Sequence, residues 1–107
     1  MRIIARRTLR SFVNSLAGQK DQPAVKGALD AWFDEVKTAI WTSGADVRRL
    51  YSTASVVTSE RIVFNVKGND HRLVAAVDFE KSIVWIKWIG THADYDRIDV
   101  TEVDHGE

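Results

Sequence analysis

The spacing of apolar residues changes once along this chain, at Arg61, and that change limits the folds it can adopt. Before Arg61, apolar side chains recur every three or four residues, which is the period of an α-helix. From Arg61 onward they recur at every second residue, which is the period of a β-strand. A chain of 107 residues fits one compact domain, so we expect a single domain over residues 1–107. The pattern predicts the α+β class, with helices encoded first and an antiparallel sheet encoded later.

Two helices are predicted in the first half of the chain. The first runs from about Arg7 to Ala17 and is ended by Gly18. The second begins after Asp21, a favourable N-cap, with Pro23 in its first turn. A broad apolar stripe along this second helix would face the sheet. Its members are Ala28, Leu29, Trp32, Phe33, Val36, Ile40 and Trp41.

Shorter elements complete the predicted order. Residues 2–5 are predicted to form a short strand, residues 45–51 form one or two helical turns, and residues 52–57 are either extended or a loop. Thr91 is predicted to N-cap a last short helix, with Asp94 in the capping-box position. The fold expected is an N-terminal strand and two helices packed on one face of an antiparallel sheet, followed by a short C-terminal helix.

The predicted turns fix the register of the three later strands. With turns at Asn69–Asp70 and Glu80–Lys81, Lys67 would lie directly opposite Arg72, and Lys87 would be a diagonal neighbour of Arg72. The face toward the helices would be almost wholly apolar, with the pairs Phe79 and Ser82, Val77 and Val84, Ala75 and Ile86, and Leu73 and Trp88. The opposite face would carry Asn65, Lys67, Arg72, Val74, Ala76, Trp85, Lys87 and Ile89.

Three cations would therefore converge on the face away from the helices: Lys67, Arg72 and Lys87. Like charges directly opposite on two strands are destabilising, by up to about 1 kcal/mol. Because no acid from these strands would lie beside the three cations, an anion such as a phosphodiester is a natural ligand. The alternative interpretation is a solvated sheet face whose long cations serve solubility and edge protection. Strand geometry alone leaves both interpretations open.

His92 and Tyr95 add groups that a phosphate site needs. Spaced i, i+3 on the predicted last helix, they would share a face near the end of the third strand. An imidazole can move a proton, and a phenol can donate a hydrogen bond or stack on a base. Taken singly, His92 is better explained as a surface residue and Tyr95 as packing between helix and sheet. Trp85 would either stack on a base or be covered by the C-terminal tail.

Composition excludes several classes of protein. The absence of cysteine rules out disulfides, thiolate metal sites and a cysteine nucleophile. The three histidines lack metal-ligand spacing, so we expect neither a metal nor a cofactor. His71 in particular is expected to be partly buried or at the surface rather than a ligand. No apolar run reaches the ~20 residues of a membrane span and no signal peptide is evident, so we expect a cytoplasmic protein without a membrane partner.

The formal net charge is zero, but the charge is unevenly distributed. Residues 1–20 hold five cations and no acid, whereas residues 94–107 hold six acids and one cation. Either these are two solvated ends that attract each other weakly, or the acidic tail hides a basic surface in the total.

Residues 61–99 resemble the C-terminal half of the HigB-type toxins of bacterial toxin–antitoxin modules. The family pattern is a strand ending in FN-x-x-GN, a short x-R-L-V strand, a hairpin, and a strand closing in GTH-x-x-YD. The matching residues here are Phe64-Asn65, Gly68-Asn69, Arg72-Leu73-Val74, Gly90-Thr91-His92 and Tyr95-Asp96. The N-terminal half matches more loosely, so the resemblance covers nearly the whole chain and is most specific in the last 47 residues.

The resemblance implies a RelE-like fold and an endoribonuclease that cleaves messenger RNA, generally on the translating ribosome. It also implies a helix-turn-helix antitoxin of the HigA type as partner, with operator DNA bound only through that antitoxin. The neutral net charge departs from the usually basic RelE-like toxins. Two other functions stay open: a non-catalytic RNA- or protein-binding module of the same fold, and a RelE-fold relative that acts on another target, such as a topoisomerase.

On these residues the expected reaction is metal-independent attack of a 2′-OH on the adjacent phosphodiester. Arg72 would hold the non-bridging oxygens, and Lys87 would add positive charge. His92 would act as general acid or base, while Tyr95 would orient the scissile nucleotide or assist proton transfer. Which group removes the 2′-OH proton stays open. The residues expected to bind RNA around this site are Lys67, Asn69, Asn65 and Trp85.

Overall fold

The computed structural model of the protein describes residues 1–67 and 70–104. In chain order its elements are β1 (Arg2–Ile4), α1 (Arg6–Ser15), α2 (Gln22–Thr38), α3 (Gly44–Leu50), β2 (Ser55–Val56), β3 (Arg61–Val66), β4 (His71–Asp78), β5 (Ile83–Thr91) and α4 (His92–Tyr95). The predicted mixed α+β architecture is confirmed. Residues 52–57, for which the sequence allows either an extended segment or a loop, contribute the short strand β2. Within the described residues, no helix has the length and apolar character needed to cross a bilayer.

The five strands form one sheet in the order β1-β5-β4-β3-β2. The meander β3-β4-β5 is antiparallel, as the period-two pattern predicts, and β2 pairs antiparallel with β3. Strand β1 returns to the other edge, where it pairs in parallel with β5. Helices α1 and α2 pack on one side of this sheet, which we term the helix face. We term the opposite side the strap face.

The main core lies between the helices and the helix face. Phe64 is at its centre, in edge contact with Trp32 at 5.3 Å and stacked against Trp41 at 6.3 Å between ring centroids. Most of the predicted α2 stripe is buried here, but Ile40 is 87% exposed because the helix ends at Thr38. Asp21 occupies the predicted N-cap position of α2, yet its side chain makes no capping hydrogen bond.

The strap face is not a free surface, contrary to the sequence-based prediction. Residues 96–104, which we term the C-terminal strap, follow α4 and pack across it. A second, smaller apolar cluster forms there from Val63, Val74 and Trp88 of the sheet and from Tyr95, Ile98, Val100 and Val103 above them. Arg61 fixes the far end of the C-terminal strap by donating from Nη1 to the Val103 carbonyl at 2.7 Å. Both sides of the sheet are therefore covered, the second by a single segment.

The β3–β4 hairpin has a different register from the predicted one. Arg72 pairs with Asn65, and His71 pairs with Val66, so the predicted pairing of Lys67 with Arg72 is wrong. Lys67 instead begins the connection between the strands, with a positive φ of 50°. The shift is two residues, and because strand side chains alternate with period two, Asn65 stays on the same face as Arg72.

The β4–β5 pairing departs from prediction halfway along. Val77 pairs with Val84 and Ala75 with Ile86, as predicted, but a β-bulge follows between Val74 and Ala75. Lys87 is the extra residue of this bulge. Beyond it Trp88 pairs with Val74, Ile89 with Leu73 and Gly90 with Arg72. The predicted pairs of Leu73 with Trp88, Val74 with Lys87 and Arg72 with Ile89 are wrong. Trp88 and Ile89 consequently exchange faces relative to the prediction.

Candidate nucleic-acid interface

Arg72 lies near the middle of the candidate interface, on β4 between Asn65 of β3 and Gly90 of β5. Its guanidinium Cζ is 5.9 Å from the centroid of the Tyr95 ring, and Nη1 donates to the His71 carbonyl at 3.2 Å. Because it projects from a central strand with partners on both sides, its backbone is held rigidly. A half-buried arginine beside an aromatic ring presents a planar donor set suited to phosphate oxygens.

His92 and Tyr95 are brought to Arg72 by the short helix α4. The predicted cap is confirmed, since Thr91 Oγ1 accepts a hydrogen bond from the Asp94 backbone nitrogen at 3.1 Å. The His92 backbone nitrogen donates to the Asp70 carbonyl at 3.0 Å, which ties α4 to the β3–β4 connection. The His92 side chain is 45% exposed, and its Nε2 is 3.9 Å from Asp96 Oδ1. The helix therefore presents an accessible imidazole one turn before the Tyr95 ring.

Trp88 was predicted on the helix face but lies under Tyr95, with ring centroids 6.3 Å apart and ring planes at 53°. Its indole extends across Gly90: a Cβ placed on that glycine would be 2.4 Å from Trp88 Cη2. Only a residue without a side chain leaves room for this ring beside Arg72. The aromatic support under Tyr95 therefore follows from the bulge at Lys87, which the alternating pattern did not predict.

Lys87 lies on the strap face, as predicted, but not beside Arg72 as an unneutralised cation. Its Nζ forms an ion pair with Asp104 Oδ2 at 3.2 Å, and its side chain is only 22% exposed. The prediction that no acid would lie beside the cations considered only the three strands. The acid comes from the C-terminal strap instead.

Lys67 is turned toward other groups. Its Nζ is 3.2 Å from Asp70 Oδ2 and 3.8 Å from Asp21 Oδ2, at the start of α2 on the helix side. The predicted convergence of Lys67, Arg72 and Lys87 into one cationic cluster is therefore wrong. Each of the two lysines has a carboxylate partner.

Asn65 and Trp85 differ in how close they lie to Arg72. Asn65 is the direct cross-strand neighbour of Arg72 on the same face. Trp85 pairs with Ala76, four residues along β4 from Arg72, or about 13 Å at the rise of a strand. The concave surface beside Trp85 is lined by Glu60 and Asp78, which disfavour a phosphate there. Asn69 lies outside the described residues, and its predicted RNA contact stays a prediction.

His71 belongs to the helix face and to the core. Only 3% of the residue is exposed, and its ring meets the edge of Phe12 at 5.5 Å. Burial lowers the pKa of His71 below the ordinary 6.5, while the carboxylates of Asp21 and Asp70 act in the opposite direction. The prediction that this histidine is partly buried or at the surface is wrong, because its burial is nearly complete.

Sequence reasoning considered the C-terminal tail only as a possible cover for Trp85 and did not predict that it packs on Val63, Val74 and Trp88. The available signal was the recurrence of Ile98, Val100 and Val103 in an otherwise polar, acidic tail. Apolar residues at such spacing indicate a segment that packs on something. A tail that packs on the sheet is not fully solvated. Its acidic side chains must then lie close to the sheet face that it covers.

Comparison with known proteins addresses the family directly. The HigB_toxin family model, described as a RelE-like toxic component of a toxin–antitoxin system, matches residues 25–98. The match covers well over half of the chain and includes Asn65, Arg72, Lys87, His92 and Tyr95. No curated protein matches the chain. The resemblance inferred from the FN-x-x-GN and GTH-x-x-YD patterns is confirmed, and the chain belongs to the HigB family of RelE-like toxins, the toxic components of toxin–antitoxin systems.

Proposed function

We propose that this toxin is an endoribonuclease that cleaves messenger RNA on the translating ribosome and is neutralised by a helix-turn-helix antitoxin of the HigA type. One observation carries the proposal. The Arg72 guanidinium is 5.9 Å from the Tyr95 ring, and His92 lies three residues before Tyr95 on the same short helix. β4 and α4 thus present a guanidinium that can bind an anion, an imidazole that can carry a proton, and a phenol.

The chemistry needs two proton transfers and one site of charge stabilisation. The 2′-oxygen forms a bond to phosphorus as the bond to the 5′-oxygen breaks, which leaves a 2′,3′-cyclic phosphate and a 5′-hydroxyl. Negative charge grows on the non-bridging oxygens in the transition state, and Arg72 donates hydrogen bonds to them. Because Arg72 stands on a central strand, its fork is fixed before the substrate arrives.

His92 carries one of the two protons, either from the 2′-hydroxyl or to the leaving 5′-oxygen. Its side chain is exposed enough to reach a bound nucleotide, and Asp96 at 3.9 Å can orient the ring. Tyr95, supported from below by Trp88, stacks on the scissile nucleotide or assists the second proton transfer.

The remaining predicted residues have peripheral roles in this proposal. Asn65 hydrogen-bonds the RNA next to Arg72, and Lys87 binds a neighbouring phosphate once it leaves Asp104. Lys67, next to the β3–β4 connection, contacts the RNA backbone once it leaves its carboxylate partners, and Asn69 is proposed to contact the RNA backbone as well. Trp85, about 13 Å from Arg72, reaches only a nucleotide away from the scissile bond.

The test is brief induction of the protein in bacteria, followed by growth curves and mapping of transcript 5′ ends. We expect the natural sequence to arrest growth and to create new 5′-hydroxyl ends inside reading frames. Arg72→Ala and His92→Gln should each lower cleavage by about 10²-fold or more, since each removes transition-state stabilisation or proton transfer. Arg48→Ala is the matched control, because Arg48 is exposed on α3, away from the interface.

The outcomes separate the competing functions. If both variants fold, as judged by circular dichroism, and still cleave like the natural sequence, the residue assignment is wrong. Growth arrest without new RNA ends would favour a different target, such as a topoisomerase. Harmless expression would favour a non-catalytic module. Rescue of growth by a co-expressed helix-turn-helix partner would support the antitoxin assignment.

A further inference from the structure

We propose that the C-terminal strap is an autoinhibitory element whose acidic end occupies the RNA-binding surface and must be displaced before RNA binds there. This inference rests on the proposed function, because RNA is the competing ligand. It concerns residues 99–104 above all, which lie beyond the matched region 25–98.

The charge of the C-terminal strap is suited to this role. It carries Asp96, Asp99, Glu102 and Asp104 against the single cation Arg97. Its last described residue, Asp104, forms an ion pair with Lys87 at 3.2 Å, on the face that also presents Arg72. A carboxylate on a lysine takes the position that a phosphate oxygen would take. RNA can gain the contact to Lys87 only if Asp104 leaves.

The anchoring of the C-terminal strap is light enough to be reversed. The polar contacts at its end include that of Arg61 with the Val103 carbonyl and that of Lys87 with Asp104. Asp104 is 42% exposed, and partly exposed ion pairs contribute little and weaken with salt. Ile98, Val100 and Val103 are only half-buried against Trp88 and its neighbours. A ligand with several phosphates can therefore replace these contacts, whereas a neutral ligand cannot.

Release of the C-terminal strap would make Arg61 available to RNA in addition to Lys87. Its Nη1 donates to a backbone carbonyl of the C-terminal strap, so displacement of Val103 frees a guanidinium at the edge of the same face. Lys87 and Arg61 would both become available in one step. Binding of RNA and opening of the C-terminal strap are therefore thermodynamically coupled, and weakening the closed state must raise RNA affinity.

The decisive variant is Asp104→Asn, which keeps the size of the side chain and removes its charge. Glu102→Gln is the matched control: it removes the same charge from the same segment, and Glu102 is exposed, with no ion pair among residues 1–67 and 70–104. The probe is a fluorescein-labelled 12-nucleotide RNA with 2′-O-methyl groups, which binds but cannot be cleaved. We expect Asp104→Asn to tighten binding by about two- to fivefold, and Glu102→Gln by less than twofold.

Hydrogen exchange gives a readout that a merely structural tail would not change. Backbone amides of residues 97–104 should exchange faster when the RNA probe is bound, and those of β4 should not. Equal affinities of natural sequence, Asp104→Asn and Glu102→Gln, with unchanged exchange, would overturn the autoinhibitory role while leaving the nuclease proposal intact. Tighter binding by Asp104→Asn without any RNA cleavage in cells would support the C-terminal strap and overturn the nuclease. No RNA binding by any of the three proteins would overturn both.

Discussion

One face of the sheet is packed against α1 and α2, whereas the other is packed against α4 and the C-terminal strap alone. On the helix face, side chains such as Phe64, Leu73 and Ile86 are at most 1% exposed and belong to a cluster in which most members are buried. On the strap face, Val63, Val74 and Trp88 are covered by side chains of α4 and the C-terminal strap that are themselves half-buried. The free energy of folding is therefore concentrated on the helix face, and the strap face can change its cover at small cost.

The two faces also differ in polarity. His71 is the one buried polar residue on the helix face, within the described part of the chain. The strap face carries Asn65, Arg72 and Lys87, with Tyr95 above them. Charged groups need water or partners, so they are tolerated only where the cover is thin. The difference teaches that one side of the sheet is packed for stability, whereas the other side keeps the polar groups to which we assign RNA recognition as a proposal.

The largest expected effect tests this division of stability. Phe64→Ala, in the centre of the helix face, should lower the free energy of unfolding by about 3–5 kcal/mol, because it leaves a cavity among Trp32, Trp41 and Tyr51. Ile98→Ala in the C-terminal strap should cost only about 1 kcal/mol, since its side chain is already partly exposed. Urea unfolding followed by circular dichroism measures both. If Ile98→Ala were as costly as Phe64→Ala, the C-terminal strap would be part of the core and unsuited to displacement.

The helix face could be predicted from the sequence because its signals are periodic and redundant. The α2 stripe places one set of apolar residues toward the sheet, and the alternation along β3 and β4 places a second set toward the helices; Pro23 marks the start of α2 independently. The prediction that Ile40 faces the sheet is wrong because the apolar stripe continues past Thr38, where the helix ends. A pattern indicates which face of an element is apolar but not where the element stops.

The errors on the strap face have a different origin. The two-residue shift at the β3–β4 connection preserves the inward and outward parity, so no hydrophobic pattern could reveal it. The bulge at Lys87 reverses parity, but Trp88 and Ile89 are both apolar, and either of them fits the helix face. The acid beside Lys87 comes from a segment 17 positions away in sequence, which strand geometry does not include. Local patterns could therefore predict that Arg72, His92 and Tyr95 lie near one another, but not the pairing of the lysines.

The second effect in size tests the bulge. A methyl group on Gly90 would lie 2.4 Å from Trp88 Cη2, so Gly90→Ala must displace the indole and should cost about 1–3 kcal/mol. Gly27→Ala is the matched control, because its Cβ meets no atom within 4 Å and it lies inside α2. That variant should gain about 0.5–1 kcal/mol. Without the bulge, Trp88 and Gly90 would lie on the helix face. The tryptophan fluorescence of Gly90→Ala should therefore be compared with that of the natural sequence in the same unfolding experiment, because it depends on the surroundings of Trp88.

Relief of this clash by a second substitution makes the test specific. In a Trp88→Phe background, where the ring is smaller, the additional cost of Gly90→Ala should shrink measurably. RNA affinity should fall in Gly90→Ala, because Tyr95 loses the ring beneath it. An unchanged cost in the Trp88→Phe background would mean that some other contact of Gly90 decides its effect.

The smallest expected effect uses His71, the one charged or titratable side chain classed as buried within residues 1–67 and 70–104. Burial holds the pKa of His71 below 6.5, so the unfolded chain binds more protons than the folded one when the pH falls below that value. The contribution of His71 to stability is thus fully present above pH 6.5 and is lost as the pH falls toward the lowered folded-state pKa, with a slope of at most about 1.4 kcal/mol per pH unit. His71→Gln should remove this component, so its stability should fall less than that of the natural sequence between about pH 7.5 and about pH 5. Parallel profiles of unfolding free energy against pH for the natural sequence and His71→Gln would show that protonation of this histidine is not coupled to folding. The contrast in polarity between the two faces would then be supported by the strap face alone.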